Sequence, residues 1–285
     1  MIQANGAWIL ANRIHCFWVL RTLKASTCTR QQMNTLLDSP LLVFGVALVT
    51  LWISSRVGSL FRKHLRPVKE EERHDLDTVL AATLTLLGLL IGFSFSMAIH
   101  RYDQRKDCEA TEANAIGTEY VRMDLLPSAD GARVRELLRN YLQQRILFYR
   151  ARDDRQLRQV DASSNRLESD LWSAIGAVAV RLPTVPVALT VSGMNDVLNS
   201  QAYTQAAWWN RLPVAAWGLM AAISVFCNFV IGYSVYRVRN TLFLVLPLAV
   251  SISFLLIADI DSPRHGFIAI LPQDLVSLSQ SMHAR

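Results

Sequence analysis

The chain has 285 residues, of which 52% are apolar and 18% charged, and its mean hydropathy is positive at +0.23. This balance excludes most soluble classes and indicates an all-α integral membrane protein. The net charge of +6 does not call for a nucleic-acid partner. Its basic residues crowd beside apolar runs (Arg62, Lys63, Arg66; Arg101, Arg105, Lys106; Arg237, Arg239), where the headgroups of a lipid bilayer lie.

Residues 1–32 carry Arg13, Arg21, Lys24 and Arg30 without an Asp or Glu, and their apolar patches are too short to span. A secretory signal, a transit peptide and an internal start at Met33 are the readings open for this leader, with Met33 preferred. Residues 33–100 form a first transmembrane hairpin with spans at 40–61 and 78–99. The second of these, TVLAATLTLLGLLIGFSFSMAI, has no ionisable side chain and stops at His100 and Arg101. A helix of that length covers the hydrocarbon core of about 30 Å. No helix breaker occurs from Leu76 to Leu126, so the span is expected to continue out of the bilayer as one rod of about 50 residues.

Residues 101–212 form a helical extramembrane insert in which apolar residues recur at helical spacing: Ile116 and Tyr120, then Leu138, Tyr141 and Leu142, then candidates over 167–182 and 187–209. Residues 213–258 form a second hairpin with spans at 213–236 and 241–258, and 259–285 are a tail. Four spans place both termini on the side of the insert. The tryptophans Trp208, Trp209 and Trp217 are expected to anchor the third span at the interface.

Chemistry is sparse. Nucleotide-binding, nucleophile-elbow and zinc-protease motifs are missing, so an enzyme is not indicated. Cys16, Cys28, Cys108 and Cys227 have neither paired nor metal-ligand spacing, and no cofactor is called for. The spans carry no central acid or base of the kind that pumps use, which leaves passive conduction or anchoring.

Three groups of residues are candidates. Gly88, Gly92 and Ser96 share a face of the second span, with Phe93, Phe95 and Met97 nearby; the face is either a helix-packing surface or a pore wall. Glu109, Glu112, Asn114 and Thr118 lie on the helical extension, either as a solvated or interhelical polar face or as cation ligands. Asp259 and Asp261 are calcium candidates or simply turn and cap residues.

The strings GLLIGFSFSMAIHRYDQRKDCEATEANAIGTEYVRMDLLP (88–127), ALTVSGMNDVLNS and DIDSPRHGF resemble the signature of the bestrophin-like family of membrane proteins. The likeness covers about residue 33 to the C-terminus. Through the architecture of the bestrophin anion channels it implies a five-fold homo-oligomer in a bacterial inner membrane. The second span would line the pore, the insert would lie in the cytosol, and small ions, anions in bestrophins, would pass. The count of basic residues near the span ends narrowly favours the opposite orientation. No acid run like the calcium clasp of animal bestrophins is present. The expectation is a passive ion channel; the alternative is a non-conducting anchor or scaffold whose insert binds a partner protein.

Overall fold

The computed structural model describes residues 39–64, 70–234, 242–264 and 266–283. The leader with Met33, the centre of the first charged link and the second basic link at 237–240 lie outside the described residues. All regular structure among the described residues is helical.

Helix α1 (Pro40–His64) opens on a proline, which lacks the N–H that a first helical turn leaves unpaired; the Ser39 carbonyl accepts from Leu42 and Val43. Helix α2 (Glu70–Arg122) runs 53 residues without a break, about 80 Å at helical rise. The stretch 78–99 within it carries no ionisable side chain. A 3-10 turn (Met123–Leu125) and Pro127 stop it. Then come α3 (Ser128–Arg150) and α4 (Asp154–Arg181), whose N-cap Asp153 accepts the Arg155 N–H. Pro183 separates α4 from α5 (Val185–Trp209), which carries Pro186 in its first turn. Spans α6 (Val214–Ser234) and α7 (Leu242–Asp261) follow, and α8 (Gln273–His283) closes the chain. Helix α4 begins 13 residues before the apolar pattern at 167 suggests. Its first half buries only Val160 and Ser164, too few positions to register as a periodic face.

Helices α1, α2, α6 and α7 are long and apolar enough to cross a membrane. They pack around a core of Leu51, Leu87, Ala98, Met220, Cys227, Phe254 and Ile257. The remaining helices and the outer half of α2 close a second core on Ile116, Leu138, Tyr141, Leu171, Ile175 and Met194. Tyr102 packs against both.

Two glycines bring α1 and α6 together. A Cβ on Gly58 would strike the Phe229 carbonyl, and one on Gly232 would strike the Ser55 carbonyl. Small residues at such crossings let backbones approach and bring polar groups into reach. Ser54 Oγ accordingly donates to the Val225 carbonyl at 2.8 Å and Ser55 Oγ to Asn228 Oδ1 at 3.2 Å. Gly58→Ala or Gly232→Ala is expected to cost about 1–3 kcal/mol by overpacking. Thermal melting in detergent should show that loss while Gly45→Ala, facing open space, melts like wild type.

Candidate functional site

Helix α2 has two faces, and the contrast between them organises the candidates it carries. Leu87, Ser94, Ala98, Arg105, Glu109, Glu112, Ile116 and Glu119 recur at three- and four-residue steps or their sums and are all buried against the chain's own helices. On the outward side Gly88 and Gly92 are exposed and a Cβ on either would meet nothing. Phe93 is 62% exposed and Met97 42%, and Ser96 is exposed beside them. Phe95 differs: it is half-buried and packs on the membrane core.

The polar extension divides in the same way. Asn114 and Thr118 are exposed and line a cavity of about 690 Å³ between α2 and α8. Glu109 and Glu112 are buried. Glu112 pairs with Arg145 of α3 and also accepts from Tyr149 Oη at 3.3 Å and Thr204 Oγ1 at 3.1 Å, which ties α3 and α5 to the rod. Burial alone would lower the Arg145 pKa, but the Glu112 carboxylate outweighs it and holds the guanidinium charged. Glu109 accepts the Leu275 N–H at the start of α8 at 3.0 Å. Glu119 lies against Gly193, where a Cβ would overlap its carboxyl, and it pairs with Arg122 at 3.7 Å. Burial pushes Glu119 up to about 7, with the Arg122 charge opposing.

At the junction of the two cores the motif DIDSPRHGF becomes a polar knot. Asp259 accepts the N–H groups of Phe267 (2.5 Å) and Ile268 (3.0 Å), holding the loop after α7. Asp261 accepts the Leu212 N–H at 3.1 and 3.2 Å, just ahead of α6, and faces Arg101 at 3.9 Å. Both carboxylates are engaged by backbone donors, as capping residues are. Gly266 leaves room for the Asp259 carbonyl.

Sequence reading missed three arginines here. Arg105, assigned above to headgroups, is fully buried and donates to the carbonyls of Ala207, Asn210, Ile260 and Asp261 at 3.1–3.4 Å. Burial lowers its pKa to about 10, against the attraction of Asp261. Arg264 donates to the Phe148 and Ala151 carbonyls, both at 2.9 Å, and lies over the rings of Phe148 and Trp208. Arg145 is the third. The signal for Arg105 was phase: it stands seven residues after Ala98 and seven before Glu112, squarely on the buried stripe. The tryptophan expectation is corrected by the same packing. Trp208 lies in the extramembrane core beside Phe148 and Tyr149, Trp217 packs edge-on against Phe254, and of the three only Trp209 is exposed.

Residues 42–275 match the Bestrophin-like domain family. A bacterial Bestrophin homolog from Klebsiella pneumoniae, solved by Zn-SAD phasing, is similar with a TM-score of 0.58 and 14% identity, covering 86% of this chain and 97% of that one. A point variant of a bacterial Bestrophin homolog from the same organism gives 0.61 and 12%, over 84% and 97%. A crystal structure described as a membrane protein gives 0.59 and 13%, over 85% and 97%. At such identities the likeness is one of fold. No curated protein matches the chain.

Truncating one partner of a buried ion pair leaves the other charge unpaired and costs about 3–5 kcal/mol. Glu112→Ala should therefore lower the melting temperature sharply, and replacing both partners (Glu112→Leu with Arg145→Met) should recover much of the loss. Double-mutant melting curves check this.

Proposed function

The chain belongs to the Bestrophin-like domain family, and we propose on that premise that copies of it assemble around an axis lined by the α2 span and conduct small ions passively through a bacterial inner membrane. The observation that supports this reading is the two-faced rod. One side of α2 is fully used by its own protomer, while Gly88, Gly92, Phe93 and Ser96 touch little of it. Small and hydroxylated positions let a helix approach an axis, and Phe rings repeated by symmetry form an apolar constriction that gates by dewetting. The number of copies, five, comes from the family resemblance. So does the cytosolic placement of the insert.

The resemblance favours anions, but one observation favours cations. The outward stripe continues from Ser96 through Asp103 and Asp107, both exposed, and acidic rings at a pore mouth concentrate cations. Reversal potentials under a salt gradient decide the sign. On the cationic reading, Asp103→Asn with Asp107→Asn shifts the reversal potential toward the anion value; on the anionic reading the pair leaves selectivity unchanged.

Phe93 and Phe95 test the pore itself. Phe93→Ala is expected to change single-channel conductance and leave assembly intact. Phe95→Ala is expected to lower stability, by up to about 3 kcal/mol if its contacts are lost as in a soluble core, with conductance preserved in the oligomers that survive. Mass in detergent establishes assembly before current is read. If intact wild-type oligomers pass no ions in liposomes at either sign of voltage, with or without calcium, the channel reading falls and the anchor reading stands.

A further inference from the structure

Four arginines that lie far from every span in the sequence are carried back to the span ends by the fold. Along α2, Tyr120 meets Arg139 and Glu112 meets Arg145, so α3 runs antiparallel to the rod and its C-terminal end returns toward the membrane layer. Three contacts set its level. Arg264, three residues past the end of α7, donates to the Phe148 and Ala151 carbonyls. The Phe148 ring lies 5.1 Å from that of Trp208, the next-to-last residue of α5. Arg105 donates to both Ala207 and Asp261, so the ends of α5 and α7 are themselves side by side. The turn from α3 to α4 is thus level with the ends of the spans.

That turn and the start of α4 read RARDDRQLR over 150–158. Arg150, Arg152, Arg155 and Arg158 are all exposed, and none is in an ion pair with a described residue. The two acids among them are otherwise engaged. Asp153 caps α4 by accepting the Arg155 N–H, and Asp154, like Asp161, is close enough to Arg264 to favour its charge. Beside the turn a cavity of about 340 Å³ opens between α3 and α4. Its lining includes Arg150, the neutral donors Gln144, Gln156, Gln159 and Ser163, and the exposed Leu147.

We propose that the α3–α4 turn is a docking site for the phosphate of an anionic phospholipid in the surrounding bilayer. Arg150 and the amides of the cavity hold the phosphate, while Arg152, Arg155 and Arg158 strengthen the local positive field. The proposal goes beyond ion conduction and requires only that the four apolar helices cross a bilayer. A guanidinium fork matches two phosphate oxygens at once and is weakly hydrated, which suits a partly desolvated headgroup layer. A zwitterionic lipid brings the same phosphate with an ammonium that the arginines repel. Each net basic charge at an anionic surface contributes about fivefold to binding, so four arginines against two aspartates predict a preference of roughly 25-fold for the anionic lipid. A free phosphate ion offers the same oxygens, but the bilayer already holds a lipid phosphate at the height of the turn.

The test uses the full chain. Titration in detergent, read by native mass spectrometry, should show phosphatidylglycerol binding roughly 25-fold tighter than phosphatidylcholine. Replacing Arg150, Arg152, Arg155 and Arg158 together by Gln should bring the two lipids to equal affinity, whereas replacing all four by Lys should keep most of the preference. Arg133→Gln with Arg166→Gln, exposed further along the same two helices, should behave like wild type. Hydrogen exchange in nanodiscs locates the site: residues 150–158 of the wild type should exchange more slowly with phosphatidylglycerol than with phosphatidylcholine alone. If the glutamine variant melts below wild type, this exchange measurement decides. An unchanged lipid preference in a stably folded glutamine variant overturns the proposal, and so does exchange at 150–158 that ignores the lipid. Inorganic phosphate that slows the same residues in phosphatidylcholine discs as much as phosphatidylglycerol does would make this a soluble-anion site, and the lipid assignment would fall.

Discussion

The Arg105 guanidinium ties two helix ends together where the membrane layer meets the extramembrane layer. Helices α5 and α7 both end at the junction, and each leaves carbonyls that no further turn can satisfy. Arg105, projecting from the middle of α2, donates to Ala207 and Asn210 at one end and to Ile260 and Asp261 at the other. Buried carbonyls without partners cost about 1–3 kcal/mol each, and the negative ends of two helix dipoles add to the demand for a cation. Lysine has the charge but not the planar fork that reaches two helix ends at once.

The loop after α7 repeats the device one layer further out. Arg264 closes the C-terminal end of α3 through the Phe148 and Ala151 carbonyls while stacking on Phe148 and Trp208. Asp261 receives the Leu212 N–H before α6, so one short segment touches the ends of three helices. Deeper in the insert, Glu112, Arg145, Tyr149 and Thr204 form a buried network. Such a network can be no more stabilising than apolar packing would be; what it does is join α2, α3 and α5 through one carboxylate. Glu119 and Gly193 show the same precision from the steric side, since any side chain at 193 would displace the carboxyl.

These anchors leave α2 as an unbroken rod with its inner face immobilised and its outer face uncommitted. Inside the bilayer the outer face is glycine, serine, phenylalanine and methionine; beyond it the face turns acidic and then to amide and hydroxyl at Asn114 and Thr118. No proline or loop interrupts α2 from Glu70 to Arg122, so the extramembrane core and the candidate pore face are built on one continuous helix.

The four spans, the all-helical class, the continuous rod and the family were legible in the sequence because each rests on a property of consecutive residues: an apolar run of membrane length, the absence of breakers, a motif string. Gly88, Gly92 and Ser96 were legible as one face, since helical spacing alone determines it. Which face turns inward was decided only by tertiary packing, as Phe95 shows by joining the core while Phe93 does not. The same holds for charge. Arg105 read as a headgroup residue, and nothing singled out Arg145 or Arg264, because arginine is ordinarily solvated; their placement requires carbonyls and carboxylates contributed by helices about 30 to 160 residues away. Composition cannot encode partners at that separation; a fold brings them together.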